Sequence, residues 1–171
     1  MKKIIFPFLV LILLSGCVAV TPTIPDGYQG DKSLMKDTEN RIDDGKIELF
    51  YLSKIDGKKI DTSRSKTGKA SYGHGNQLTS VLLDNEIKST KQTFTIVGRT
   101  LFALPIRALA STVFEIAGDV TFSPEPNHIY VVKGLLKDDY SAVWIEDSSN
   151  QDEIVKKIEV NGSTELGFFE K

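Results

Sequence analysis

Two histidines, a single cysteine and several adjacent acids are the side chains on which chemistry could rest in this chain. His74 stands between glycines in Tyr72-Gly73-His74-Gly75-Asn76, and His128 closes a proline-bracketed turn, Ser123-Pro124-Glu125-Pro126-Asn127-His128. A serine triad needs a histidine next to its nucleophile, but no Gly-x-Ser-x-Gly elbow is present. No His-x-x-x-His pair offers a metal spacing. Gly73 and Gly75 do not make a phosphate loop, because no Lys-Ser/Thr pair follows them; they read as positive-φ or bulge positions. His74 and His128 then read as surface and turn residues. The acid pairs Asp43-Asp44, Asp138-Asp139 and Glu146-Asp147 offer oxygen ligands of the kind calcium takes, without EF-hand spacing, and read as solvated turns. Two carboxylates at the right separation also cleave glycosidic bonds, but sequence does not set that separation. Trp144 could stack on a sugar; its neighbours Val143 and Ile145 favour a place in the core. No catalytic residue, metal site or cofactor is expected, and the chain reads as a non-enzyme.

Cys17 carries the one specific signal. Lys2-Lys3 precede an apolar run over residues 4–14, which ends in Leu14-Ser15-Gly16-Cys17. A basic start, a short apolar stretch and small residues before a cut are the parts of a secretory signal. The run is interrupted by Pro7 and falls short of the roughly 20 residues that a membrane-spanning helix needs. Leu14-Ser15-Gly16-Cys17 resembles a lipobox at every position. The resemblance implies that Cys17 becomes the mature N-terminus and carries a thioether-linked diacylglycerol and an amide-linked acyl chain such as palmitate. Val18, in the place where an aspartate would retain the protein at the inner membrane, implies the periplasmic face of the outer membrane. The plain alternative is a secretory signal cut near Ala19, with no role for Cys17. Lipidation of the lone cysteine would leave no thiol for a disulfide, for catalysis or for a metal.

Composition fits a folded exported body. At 171 residues the chain is one domain in length. Its 26% charged and 40% hydrophobic residues argue against general disorder. A formal net charge of −2 argues against a nucleic-acid partner, which would want a basic stripe.

The elements that would position these residues are mostly strands. Residues 17–46 read as a tether and irregular approach, with Pro22, Pro25 and Asp26-Gly27 favouring extended chain and turn and a helical turn or two over 33–40. Residues 47–55 form a strand covered on both faces, since Phe50 and Leu52 load the side opposite Ile47, Leu49 and Tyr51. Asp56-Gly57 supplies a two-residue hairpin turn. Residues 62–77 read as a polar loop, 78–83 and 92–97 as strands, and 84–91 as a charged connection. Residues 100–112 read as extended chain with a short helical turn at Pro105, helix and strand both remaining open. Strands follow from Val113 with a bulge or close backbone approach at Gly118, then over 129–134, 141–146 and 153–160. In the tail, Phe168-Phe169 are expected to dock on the body.

Val143-Trp144-Ile145-Glu146-Asp147, with Ile55-Asp56-Gly57-Lys58, Gly118-Asp119-Val120-Thr121-Phe122-Ser123-Pro124 and Tyr130-Val131-Val132-Lys133-Gly134, is similar to a group of uncharacterised proteobacterial lipoproteins. That resemblance implies a β-sandwich behind a lipid anchor and brings no activity with it. Short strands between turns predict a mainly β fold. The expected architecture is an antiparallel sandwich or partly open barrel of about seven to nine strands. The expected division is a signal peptide over 1–16, the tether over 17–46, the sandwich over 47–162 and a tail over 163–171. The function expected is a membrane-anchored binding or structural module, its partners the membrane through the lipid and an envelope protein or wall component. A glycan-acting enzyme using carboxylates and a carrier of lipid or small ligands are the alternatives.

Overall fold

The computed structural model describes residues 20–171. The signal over 1–16 and the lipidation position Cys17 lie outside the described residues. Within them the chain is a β-sandwich of two mostly antiparallel sheets, with ten strands and two short helices. One sheet has the order β10-β9-β8-β1-β5, built from β1 (Lys32–Lys36), β5 (Asp84–Lys88), β8 (Ile129–Leu136), β9 (Tyr140–Asp147) and β10 (Glu153–Asn161). The other runs β2-β3-β6-β7, from β2 (Thr38–Asp43), β3 (Lys46–Ile55), β6 (Gln92–Phe102) and β7 (Glu115–Phe122), with the two-residue β4 (Lys58–Lys59) added to β3. The β1–β8 pair alone is parallel, Leu34 facing Ile129 and Lys36 facing Val131. Neither sheet closes into a barrel.

Side-chain alternation fills the space between the sheets. Phe50 and Leu52 of β3, Phe94 and Ile96 of β6, and Ile116 and Val120 of β7 meet Met35, Val132, Val143 and Ile145 from the facing sheet. The second face of β3 is also covered: Ile47, Leu49 and Tyr51 pack with Val97 and Leu78 in a smaller outer cluster. The Asp56-Gly57 turn has φ of 50° and 75°, the geometry of a type I′ hairpin. Gly118 is a close approach: a Cβ there would lie 2.5 Å from Ile158 Cδ1. Pro105 opens α2 (Pro105–Ala110) at its first turn, where its missing N–H costs no helical bond.

Four stretches depart from the sequence reading. Residues 33–40 are not helical but belong to β1 and β2, so the sandwich begins inside the segment read as an approach. In β1 the buried positions are Ser33 and Met35 while Leu34 faces out, which hides the alternation. The charged connection over 84–91 contains β5, with Asn85 and Ile87 turned in. Residues 78–83 form no strand, and the polar loop over 62–77 holds α1 (Ser63–Ser71).

α1 and the segment after it explain each other. The buried face of α1 is Ser63, Thr67 and Ser71, with no apolar stripe. Ser63 Oγ accepts from the Leu83 N–H at 2.8 Å, Thr67 Oγ1 from Val81 at 2.9 Å and Ser71 Oγ from Thr79 at 3.0 Å. Every fourth helical residue advances about 6 Å and every second extended residue about 6.7 Å. The two repeats nearly match, so a helix face of hydroxyls serves the backbone donors that a sheet partner would otherwise take.

The incoming chain is held as well. Thr21 N–H donates to the Lys59 carbonyl at 2.8 Å, which ties it to the β3–β4 hairpin. The tail does not dock by its aromatic pair: Phe168 and Phe169 are both exposed. Among the described residues no helix is long and apolar enough to cross a membrane.

Candidate functional site

The alternation of β9 decides where the conspicuous residues go. Val143 and Ile145 point into the core, so Trp144 and Glu146 point out. Trp144 is therefore half-buried on the outer face, not a core residue. Strand register sets Lys133 of β8 beside it on one side and Lys157 of β10 on the other. The indole Nε1–H donates to Glu146 Oε1 at 2.7 Å, and Lys133 Nζ lies 2.5 Å from Glu146 Oε2. Burial works against the Glu146 charge, but Lys133 and the indole N–H together hold its pKa below the ordinary carboxylate value. Lys133 is held above its ordinary value by Glu146.

Of these, Lys133 and Trp144 line a cleft of about 350 Å³. Its origin is topological. β1 pairs with β8 from Leu34–Ile129 only as far as Lys36–Val131, then the chain crosses to the other sheet as β2. The far half of β8 is left beside β2, with Thr38 Oγ1 donating to the Val132 carbonyl at 2.5 Å. Glu39 and Asn40 of β2 thus face Lys133, Gly134 and Trp144 across the cleft. Glu39 Oε1 meets Arg41 at 3.3 Å, while its Oε2 is buried without a hydrogen-bond partner among the described residues. An unmatched buried acceptor is costly unless a donor arrives. The cleft itself presents an indole, an ammonium and an amide, with the Glu39 carboxylate in its wall.

His128 lies one residue along from this group. Its Nδ1 is 2.8 Å from Asp147 Oδ2 and its Nε2 is 3.3 Å from Glu125 Oε2. Asp147, then Glu125, raise the imidazole pKa. A carboxylate on each ring nitrogen leaves no position for a nucleophile. Ser149, the adjacent hydroxyl, accepts instead from the Ile129 N–H at 2.9 Å. The arrangement clips the turn over 123–128 to the end of β9.

The remaining sequence candidates stay apart. His74 is exposed in the turn after α1, where Gly73 and Gly75 take φ of 82° and 64°. Asp43 accepts from the Gly45 N–H at 2.7 Å and pairs with Arg107 at 3.4 Å. Asp138 and Asp139 form the exposed β8–β9 turn. Among the described residues no group of three His, Cys, Asp or Glu side chains is placed to hold a metal.

Two features escaped the sequence. Glu39 and Asn40 sat in a stretch without readable periodicity. Asp37 is buried at the β1–β2 corner, accepting from the Leu52 N–H at 2.9 Å and from Ser63 Oγ at 2.5 Å. Burial pushes its pKa up to about 7 against these bonds. It faces the packed interior beneath α1.

The chain matches no protein-family model, no curated protein and no solved structure.

Proposed function

We propose that this chain is a lipid-anchored, non-enzymatic binding module at the periplasmic face of the outer membrane, engaging a saccharide of the cell wall at the Trp144 cleft. The lipobox-like Leu14-Ser15-Gly16-Cys17 supports the anchor. The observation that carries the binding reading is the outward Trp144, which lines one cleft with Asn40 and Lys133. An indole offers its face to the C–H side of a sugar ring. The Asn40 amide and the Lys133 ammonium suit the ring's hydroxyls. Glu146 is held ionised by Lys133, which disfavours it as a general acid and weakens the alternative of a glycan-cleaving carboxylate pair.

The chain has one tryptophan, so its fluorescence reports on this cleft alone. Titration with soluble wall fragments should shift the Trp144 emission saturably. Trp144→Ala should abolish heat release in calorimetry with the same fragments. An emission spectrum unmoved by wall fragments, with unrelated glycans as controls, would reject the saccharide. Labelling with a radioactive fatty acid in the wild type but not in Cys17→Ser, with the label in outer membranes, tests the anchor separately.

A further inference from the structure

We infer that a lysine edge beside the incoming chain rests on anionic phospholipid headgroups and sets the tilt of the body on the bilayer. The inference rests on the reading of Cys17 as the lipid anchor. Thr21 is bonded to Lys59, so only three residues, 18–20, separate the anchor from the folded body. From Cys17 to Thr21 such a stretch reaches at most about 14 Å. The β3–β4 hairpin end must then face the bilayer, because the Lys46 end of β3 lies about 30 Å further off.

That hairpin end gathers lysines. Lys54 and Lys59 face each other across β3 and β4. Lys58 and Lys88 line one cleft with Thr21 and Gln92, and Lys91 precedes Gln92. Among the described residues none of these five is in an ion pair; Lys46, Lys69, Lys137 and Lys156 are unpaired too but are not gathered at one end, whereas the remaining described lysines are paired. The neighbouring acids are otherwise engaged or fewer. Asp56 accepts from the Thr93 N–H at 2.9 Å and from Gln92 at 3.3 Å. Asp119 accepts from Thr95 at 2.7 Å, and Asp61 pairs with Lys66. Asp26 and Asp31 stand on the incoming segment. The other half of the same end, around the β9–β10 turn, exposes the acids Glu125, Asp152 and Glu153, with Asp147 buried against His128. An end basic on one side and acidic on the other leans its basic side onto a negative surface.

The test is lysine footprinting of the full lipidated chain on vesicles of phosphatidylcholine alone or mixed with phosphatidylglycerol. Acetylation of Lys54, Lys58, Lys59, Lys88 and Lys91 should slow several-fold on the anionic vesicles, and Lys137 at the far end should be unaffected. Added salt should remove the difference. The exposed triple variant Lys58→Gln, Lys59→Gln, Lys91→Gln should lose the protection at Lys54 and Lys88. A labelled protein that floats with both vesicles but is acetylated equally on each overturns this inference alone. A protein that takes no fatty acid and floats with neither overturns the anchor and the inference together.

Discussion

Ser63 Oγ donates to Asp37 Oδ2 at 2.5 Å, and neither residue is appreciably exposed. The pair joins the start of α1 to the corner between the sheets, and its carboxyl titrates near neutrality. The folded pKa of about 7 lies above the ordinary 3.8. Asp37 therefore favours the folded state most below about pH 4, and that contribution is lost as pH rises towards about 7, on the order of 4 kcal/mol in all. Denaturant unfolding from pH 4 to 8 should show this decline, and Asp37→Asn, which resembles the neutral acid, should flatten it. Parallel profiles for the two proteins would refute the assignment.

The hydroxyl face of α1 makes a second prediction. Thr67→Val preserves shape but leaves the Val81 N–H without its acceptor. The expected loss is about 1–3 kcal/mol, with faster amide exchange at Val81 than at Ile96. An unchanged Val81 exchange rate would mean that the bond contributes nothing.

Gly134 is held by packing rather than by a turn. A Cβ there would meet the Phe50 ring and lie 2.7 Å from the Ala142 carbonyl oxygen. Gly134→Ala should destabilise by about 1–3 kcal/mol. Phe50→Leu in the same chain should recover part of the loss, because it makes room for the methyl. Equal stability of Gly134→Ala and wild type, by thermal unfolding, would count against this packing.

His128 is raised by Asp147 first and Glu125 second. Its contribution to stability is full below the ordinary value of 6.5 and fades as pH rises through the folded pKa. An NMR titration should find the imidazole pKa above 6.5 in the wild type and lower in Asp147→Asn. Identical titrations would show that the contact does not act on the ring.

The strands from β6 onward were legible because their inward positions are apolar: Phe94 and Ile96, Ile116 and Val120, Val143 and Ile145. The type I′ hairpin at Asp56-Gly57 was legible from its turn chemistry. β1, β5 and α1 were not, for one shared reason. Each turns polar groups inward: Ser33, Asn85, and the run Ser63, Thr67, Ser71. Periodicity reads burial through apolarity, so an element buried by hydrogen bonding is silent to it. Trp144 failed in the opposite sense. Its apolar neighbours suggested a core position, yet adjacent strand residues face opposite ways, and Val143 and Ile145 took the core. The cleft needed topology: Glu39 and Trp144 are brought together by β1 leaving β8, which no local pattern announces.

The place of β1 also governs the order in which this protein can be finished. The first strand of the described residues is an interior strand of its sheet, and its parallel neighbour β8 belongs to the last third of the chain. A chain threaded N-terminus first therefore cannot complete that sheet until β8 to β10 have emerged. Early segments wait unpaired for distant ones, a topology that folds slowly. Under the proposed export such a delay would be useful, since a chain that closes late stays extended while it crosses a membrane.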